Sequence, residues 1–447
     1  MPASVPSRVW ESKDFLYLVP ILLLAAALRL VNLDYMEFKG DEADNLFNAL
    51  SIVTGGRFQL VGIESSIGTL SPPLFSYLMA IPLFFSRNPV VAAGFVAVGN
   101  CVAVVALYFF CLRFFNARVA RIAALFFAVN PWAVFYSRKI WQQDLLPLFV
   151  VGFFFCLGFL ANEKRGLALT GAFVCLAAAT QLHLSAIYLV VVFVGVWVCQ
   201  RPKIPWPYYV AGVGLLFFSY APYFVFDINH GGINAKAYLE VLSRPSHFHR
   251  EALFLPFQLA SAKGFLSQSR LPMLDFLQMA MVGGGAIYAV ARIREPSYLI
   301  LTLWFLIPMM CLSFSKLDLF QHYFIVFYPV QFILAAILVD ALVRGLATKS
   351  KTLSMVCGFL VAGMAAYPLS VSASFVEFIK SQKNIAWMEY GPPFKVRVDE
   401  IRNLSKRGVV SPEQMQRLLM ERRPAEAALK YDFSATKYIF RNLDAMP

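Results

Sequence analysis

An all-α, polytopic membrane protein is the fold class this sequence predicts. It should be a bundle of about eleven transmembrane helices with interfacial helices in the first outer loop and a small soluble carboxyl-terminal tail. Three observations carry that prediction. Of 447 residues, 59% are hydrophobic and only 15% charged, with mean hydropathy +0.64, so apolar side chains far outnumber what a water-soluble core takes up. Apolar runs such as "FLYLVPILLLAAALRLVNL" (15–33) approach the roughly 20 residues that cross about 30 Å of hydrocarbon, and they recur to about residue 370. The basic residues gather in short clusters between these runs, which is how orientation is encoded in a membrane.

The first run is long, lacks a small-residue cleavage site and is followed by further spans, so it reads as a retained helix and not a signal peptide. The basic clusters are Arg113/Arg118/Arg121, Lys164/Arg165, Arg201/Lys203, Arg292/Arg294 and Arg344/Lys349/Lys351, with Arg8 and Lys13 ahead of the first span. Placing them in the cytoplasm puts helices at roughly 15–33, 90–112, 121–136, 145–161, 167–182, 184–199, 207–225, 276–292, 298–314, 323–343 and 352–372, with the carboxyl end outside. Counting "SPPLFSYLMAIPLFFS" (71–86) as another span would move the Arg113 to Arg121 cluster outward, so this segment is expected to lie along the outer interface. The first outer loop, about 34–88, also holds a short helix from Asp41 to about Thr54, stopped by Gly55-Gly56. Leu46, Phe47, Leu50 and Val53 share one face of it and should rest on the membrane. Residues 1–374 thus form the membrane domain. The charged segment 375–447 forms the tail, in which Ser411-Pro412-Glu413 starts a helix.

All seven cysteines sit in or beside apolar runs with no metal-ligand spacing, which reads as free thiols. The net charge of +13 reports topology, and no nucleic-acid partner is expected. No Walker loop, GxGxxG or GxSxG is present, nor a clear inverted repeat with broken helices. ATP-driven transport, a Rossmann site and a serine hydrolase are therefore disfavoured.

The unusual chemistry lies on the outward side. "MEFKGDEAD" (36–44) places Asp41 and Glu42 at the mouth of the first span, where a carboxylate caps a helix or takes a proton. Asp34, Glu37 and Asp44 beside them read as solvated or capping groups. "VFYSRKIWQQDLLP" (134–147) offers Arg138 and Lys139 to a phosphate. Asp144 follows, either as their salt-bridge partner or as a second carboxylate facing Asp41 across a cavity. His183 and Ser185 occupy an outer turn, Asp227 and His230 flank Gly231-Gly232, and Lys316, Asp318, His322 and Tyr323 follow a later span. With five histidines and no HxxxH spacing, a zinc site has little support.

Taken in order, "GDEADNLFNAL", "SPPLFSYL", "YSRKIWQQDLLP", "PYFVFD" with "NHG", and "HYFIVFYP" resemble the membrane-integral GT-C glycosyltransferases over about residues 15–345. The nearest resemblance is to the bacterial group that includes protein O-mannosyltransferases and lipid A aminoarabinose transferases. The resemblance implies a polyprenyl-phosphate monosaccharide as donor, Asp41 with Glu42 beside it as the transferring acid, and Asp144 as the second-loop acid. His322 departs from the pattern, standing where many relatives carry arginine before tyrosine.

Chemistry alone leads to a similar expectation. No nucleotide sugars are supplied outside the cytoplasm, so an outward-facing transferase needs a donor that crosses the membrane on a lipid phosphate. Asp41 is then expected as base in an inverting single displacement. Arg138, Lys139, His183, Lys316, His322 and Tyr323 are expected to bind donor phosphate or substrate, and a divalent metal (Mg or Mn), if used, would sit on Asp41 and Asp144. The acceptor is left open among glycan, lipid and protein. A lipid-linked glycan flippase is one alternative. An O-antigen-type ligase or polymerase is the other, kept alive by Arg244, His247, His249 and Arg250 in the loop 227–275.

Overall fold

A computed structural model describes residues 12–265, 271–347, 350–381, 391–422 and 432–446. Arg8 and Lys349 of the basic clusters lie outside these described residues. Helix α1 (Ser12–Leu30) is followed by the outer-loop helices α2 (Gly40–Gly55) and α3 (Leu74–Phe85). Next come α4 (Pro89–Phe114), α5 (Ala117–Val129), α6 (Pro131–Tyr136), α7 (Leu146–Glu163), α8 (Gly166–Leu182), α9 (Tyr188–Gln200) and α10 (Trp206–Asn229). Helices α11 (Ile233–Ser243) and α12 (Leu255–Gln258) precede α13 (Pro272–Ala291), α14 (Pro296–Ser313), α15 (Tyr328–Ala347) and α16 (Lys351–Ser381). The tail supplies α17 (Phe394–Lys406), α18 (Pro412–Arg422) and α19 (Asp432–Arg441).

Seven segments among the described residues are long and apolar enough to cross a membrane: α4, 142–163, α10, α13, α14, 321–347 and 355–381. The protein is multi-pass. The expected span 121–136 is in fact two helices broken at Asn130, whose side chain caps α6 by accepting from the Ala133 N–H at 3.0 Å and donates to the Leu259 carbonyl at 3.1 Å. Its Pro131 fits the first turn of α6 and cannot continue α5. The bundle packs closely. Phe154 of α7 stacks on Trp304 of α14 at 3.6 Å, and a Cβ on Gly285 of α13 would sit 2.0 Å from the Leu334 carbonyl oxygen of α15, so only glycine permits that backbone approach.

The basic clusters meet at one end of the bundle. Arg118 and Arg344 both reach Asp340 at 2.9 Å, Arg113 pairs with Glu163, and Arg121 lies 4.0 Å from Asp14. Helices α4 and α7 finish at this end and α8 starts there, so their other termini define the opposite end, where the outer loops gather.

The tail is no separate body. Segment 391–394 lies against the first outer loop, with the Phe394 N–H donating to the Met36 carbonyl at 2.7 Å and an isolated bridge between Glu37 and Pro393. Tyr438 of α19 packs edge-on against Phe38 and Phe47, and its hydroxyl donates to the Arg87 carbonyl at 3.0 Å. The apolar face of α2 therefore meets protein where membrane was expected. Leu46 is fully buried, and Phe47, Leu50 and Val53 join a second core built with α3, α17 and α19.

Candidate functional site

At the end opposite the basic clusters lies a cavity of about 350 Å³. Its first wall is the start of α2. Lys39 is the helix N-cap, its N–H donating to the Glu42 carboxylate at 3.0 Å, so Glu42 closes the helix start as the partner three residues on. Asp41 is consequently inside the helix, not its cap, and its side chain lines the cavity beside Asn45. Glu42 is buried behind it.

Over the cavity hangs a small hairpin, Gly62–Ser71, closed by Gly62 N–H to the Ser71 carbonyl (2.7 Å) and Ser65 N–H to the Thr69 carbonyl (2.7 Å). Gly68 takes the left-handed φ of 77° that its turn requires. The hairpin is latched sideways: the Leu70 N–H donates to Asn234 Oδ1 at 2.8 Å, and Asp227 accepts from the Asn234 N–H at 2.7 Å. Asp227 thereby caps α11 and stays off the cavity wall.

The second outer loop builds the floor. Residues 142–145 form a 3₁₀ turn, so Gln142 and Gln143 line the cavity while Asp144 turns into the protein, 1% exposed, with its carbonyl accepting from Asn100 Nδ2 at 2.8 Å. The expected face-to-face pair of Asp41 and Asp144 is thus not formed. Among the described residues no three metal-ligating side chains converge. The residues do not make a preformed Mg or Mn centre on Asp41 and Asp144.

Arg138 and Lys139, expected at a phosphate, are both fully buried and off the cavity wall. Arg138 donates to the carbonyls of Leu28, Val31 and Asn32 at 3.0, 2.9 and 2.8 Å, satisfying the open end of α1. Lys139 pairs with Glu37, and its ammonium lies 3.3 Å from the ring centre of Trp141, which lines the cavity. Lys316 also points elsewhere, donating to the Leu242 carbonyl at the end of α11.

Across from Asp41 the expected imidazoles and tyrosine do come together. His183 lies 5.6 Å from His322 and 5.2 Å from Tyr323, and His322 is 5.8 Å from Trp141. All four rings line the cavity, as do Ser185, Tyr188 and Tyr238. His183 Nδ1 accepts from the Ser185 N–H at 3.2 Å, with the Ser185 hydroxyl at 2.8 Å. That geometry assigns the ring proton to Nε2.

Sequence reasoning passes over Glu37. This carboxylate, fully buried, gathers Lys139, Lys39 (3.0 Å) and the Gly391 N–H of the tail. Burial pushes its acidity one way, yet Lys139 and Lys39 hold its carboxyl below the usual range. Asp41 is raised, by the protein enclosing it, against the pull of Lys39, with Asp44 and Glu37 adding to the rise. Glu42 is pushed up to about 8 by burial and by Glu37 beside it.

A raised acid disfavours the folded state once the unfolded chain ionises, so Glu42 lowers stability progressively from about pH 4.5 to about 8. Glu42→Gln keeps an acceptor for the Lys39 N–H and removes that charge. It should melt with the wild type at pH 4.5 and be several kcal/mol more stable than it at pH 8, since each tenfold change in acidity is worth about 1.4 kcal/mol. Equal melting at both pH values in thermal scans would refute this.

No family model matches the chain, and no curated protein matches it in sequence. By structure it is similar to ArnT from Cupriavidus metallidurans bound to undecaprenyl phosphate, at 15% identity over 97% of this chain and 77% of that one, with a TM-score of 0.58. It is also similar to the archaeal oligosaccharyltransferase AglB from Archaeoglobus fulgidus in complex with an inhibitory peptide and a dolichol-phosphate (14% identity, TM-score 0.54). That match covers 87% of this chain but only 57% of AglB. AglB in complex with Zn and sulfate matches at 15% identity with a TM-score of 0.54, over 87% of this chain and 55% of that one. The helical membrane fold of this chain is the GT-C fold that it shares with ArnT and AglB.

Proposed function

We propose that this protein is a glycosyltransferase that moves one sugar from a polyprenyl-phosphate donor to an acceptor hydroxyl at the outer face of the cytoplasmic membrane. The observation that carries this reading is the placement of Asp41 on a cavity wall facing His183, His322 and Tyr323, at the end of the bundle away from the basic clusters. Two further points support it. The shared fold belongs to a protein bound to undecaprenyl phosphate and another bound to dolichol-phosphate. The cavity, about 350 Å³, is at the small end of ligand pockets of roughly 300–1,000 Å³, which favours one sugar over a whole glycan.

In this mechanism the acceptor oxygen attacks the anomeric carbon as its proton passes to Asp41. The bond from that carbon to the phosphate oxygen breaks, and polyprenyl phosphate leaves with the electron pair. A single displacement inverts the anomeric centre. The Nε2–H of His183 and the hydroxyl of Tyr323, both on the cavity wall, are the groups that would meet the departing oxygen. Arg138, Lys139 and Lys316 take no part in holding it.

The test compares polyprenyl-phosphate sugars and envelope glycolipids and glycoproteins, by mass spectrometry, in cells lacking the protein and in cells given it back. Loss of it should remove a one-sugar mass increment from one acceptor and raise the level of one lipid-phosphate sugar. Spectra that differ in neither respect would defeat the proposal.

A further inference from the structure

The charge of the cavity wall leads further, resting on the reading just given. Its lining carries two carboxylates, Asp41 and Glu64, and among the described residues no lysine or arginine. The cations near it are turned to other partners: Arg138 to the carbonyls of α1, Lys139 to Glu37, Lys316 to the Leu242 carbonyl. Lys39 pairs with Glu37 behind the wall at 3.0 Å. The phosphate of a bound donor would therefore be met by neutral donors, namely the imidazole N–H of His183 and the hydroxyls of Tyr188, Tyr238 and Tyr323.

Neutral donors suffice for one phosphodiester charge. A second anionic group in the same 350 Å³ would stand near two carboxylates on a wall that carries no lysine or arginine among the described residues, the ammonium groups of Lys39 and Lys139 being paired with Glu37 behind it, and like charges at this range repel. Glu64 is an exposed residue of the cavity lining whose backbone is fixed by the hairpin. It forms the bridge with Leu70 in the hairpin, and Leu70 is in turn fixed by Asn234.

We propose that this cavity is a charge filter. It accepts a polyprenyl monophosphate whose sugar is uncharged or bears an amine, and rejects one whose sugar bears a carboxylate, with Glu64 as the residue that sets the discrimination.

Binding of three synthetic probes to the full-length protein in lipid nanodiscs tests this. The probes are prenyl-phosphate-linked mannose, glucosamine and glucuronic acid on the same lipid, measured at pH 7.5 in EDTA and again in Mg²⁺. The mannose and glucosamine lipids should bind within about threefold of each other, and the glucuronic acid lipid roughly 10- to 100-fold more weakly, in both buffers. Glu64→Gln should narrow that gap at least about threefold, and Glu64→Lys, at the same exposed position, should narrow it further.

Equal binding of the glucuronic acid and mannose lipids would overturn the filter while leaving the transferase reading intact. So would a gap that Mg²⁺ erases, or one that neither Glu64 variant changes. Failure of all three probes to bind would overturn both.

Discussion

Replacing Asp41 by Asn is expected to leave a folded, inserted protein whose sugar transfer falls by roughly 100- to 10,000-fold, the usual contribution of a positioned base. The structure separates this from a folding effect. In sequence, an aspartate at the start of a helix is a natural cap, and its loss would weaken the helix by about 1 kcal/mol. Here the cap is Lys39, closed by Glu42, and the hydrogen bond from Asn45 goes to the Asp41 backbone carbonyl at 2.9 Å, which Asn leaves unchanged. Asn also matches Asp in volume and removes a carboxylate that its surroundings disfavour. The melting temperature of Asp41→Asn should therefore equal or exceed that of the wild type. The initial rate of transfer, measured in membranes and normalised to protein present, should collapse. The wild-type rate should also fall on the acid side at a pH above the ordinary aspartate range, because the carboxyl that must be ionised is raised. A wild-type rate from Asp41→Asn would remove Asp41 from the chemistry.

Much of the fold is legible in the sequence because apolar periodicity and basic loops are local signals. The two outer-loop helices lie where "GDEADNLFNAL" and "PPLFSYL" place them, and the basic clusters share one end of the bundle. What stays hidden depends on contacts between residues far apart in the chain. Arg138 and Lys139 look like a phosphate pair in "YSRKIW", but their partners are the carbonyls ending α1, 106 to 110 residues earlier, and Glu37. In sequence Asp144 could equally pair with its basic neighbours or face the cavity. The 3₁₀ turn alone decides that the glutamines face the cavity and the acid does not. Trp141 escapes notice for the same reason, since its place between Lys139 and the cavity is set by tertiary structure. The face of α2 reads as membrane-seeking because its partner, α19, lies nearly 400 residues further on. By contrast, His183, His322 and Tyr323 can be found because each sits at the outer end of an apolar run. Such ends must converge in a bundle of spans.

The same long-range logic makes Glu37 the position where a single substitution should damage the structure most. Glu37→Ala would leave Lys139 fully buried without its carboxylate, and would deprive the Gly391 N–H of its acceptor. Breaking one side of a buried ion pair typically costs about 3–5 kcal/mol, most of it from the stranded charge. The loss should appear in detergent as a lower melting temperature and as proteolytic release of the segment containing α17 to α19, because Glu37 joins the tail to the first outer loop. The second substitution distinguishes a stranded charge from lost packing. Lys39 is partly exposed and can turn to water, whereas Lys139 cannot. Glu37→Met combined with Lys139→Met removes both buried charges and keeps their volume, so it should recover most of the stability lost in Glu37→Ala. Transfer should stay low in the double variant, since Trp141 would lose the ammonium 3.3 Å from its ring centre and the cavity wall its support. A double variant as unstable as Glu37→Ala would show that the tail contact, and not the charge on Lys139, is what Glu37 secures.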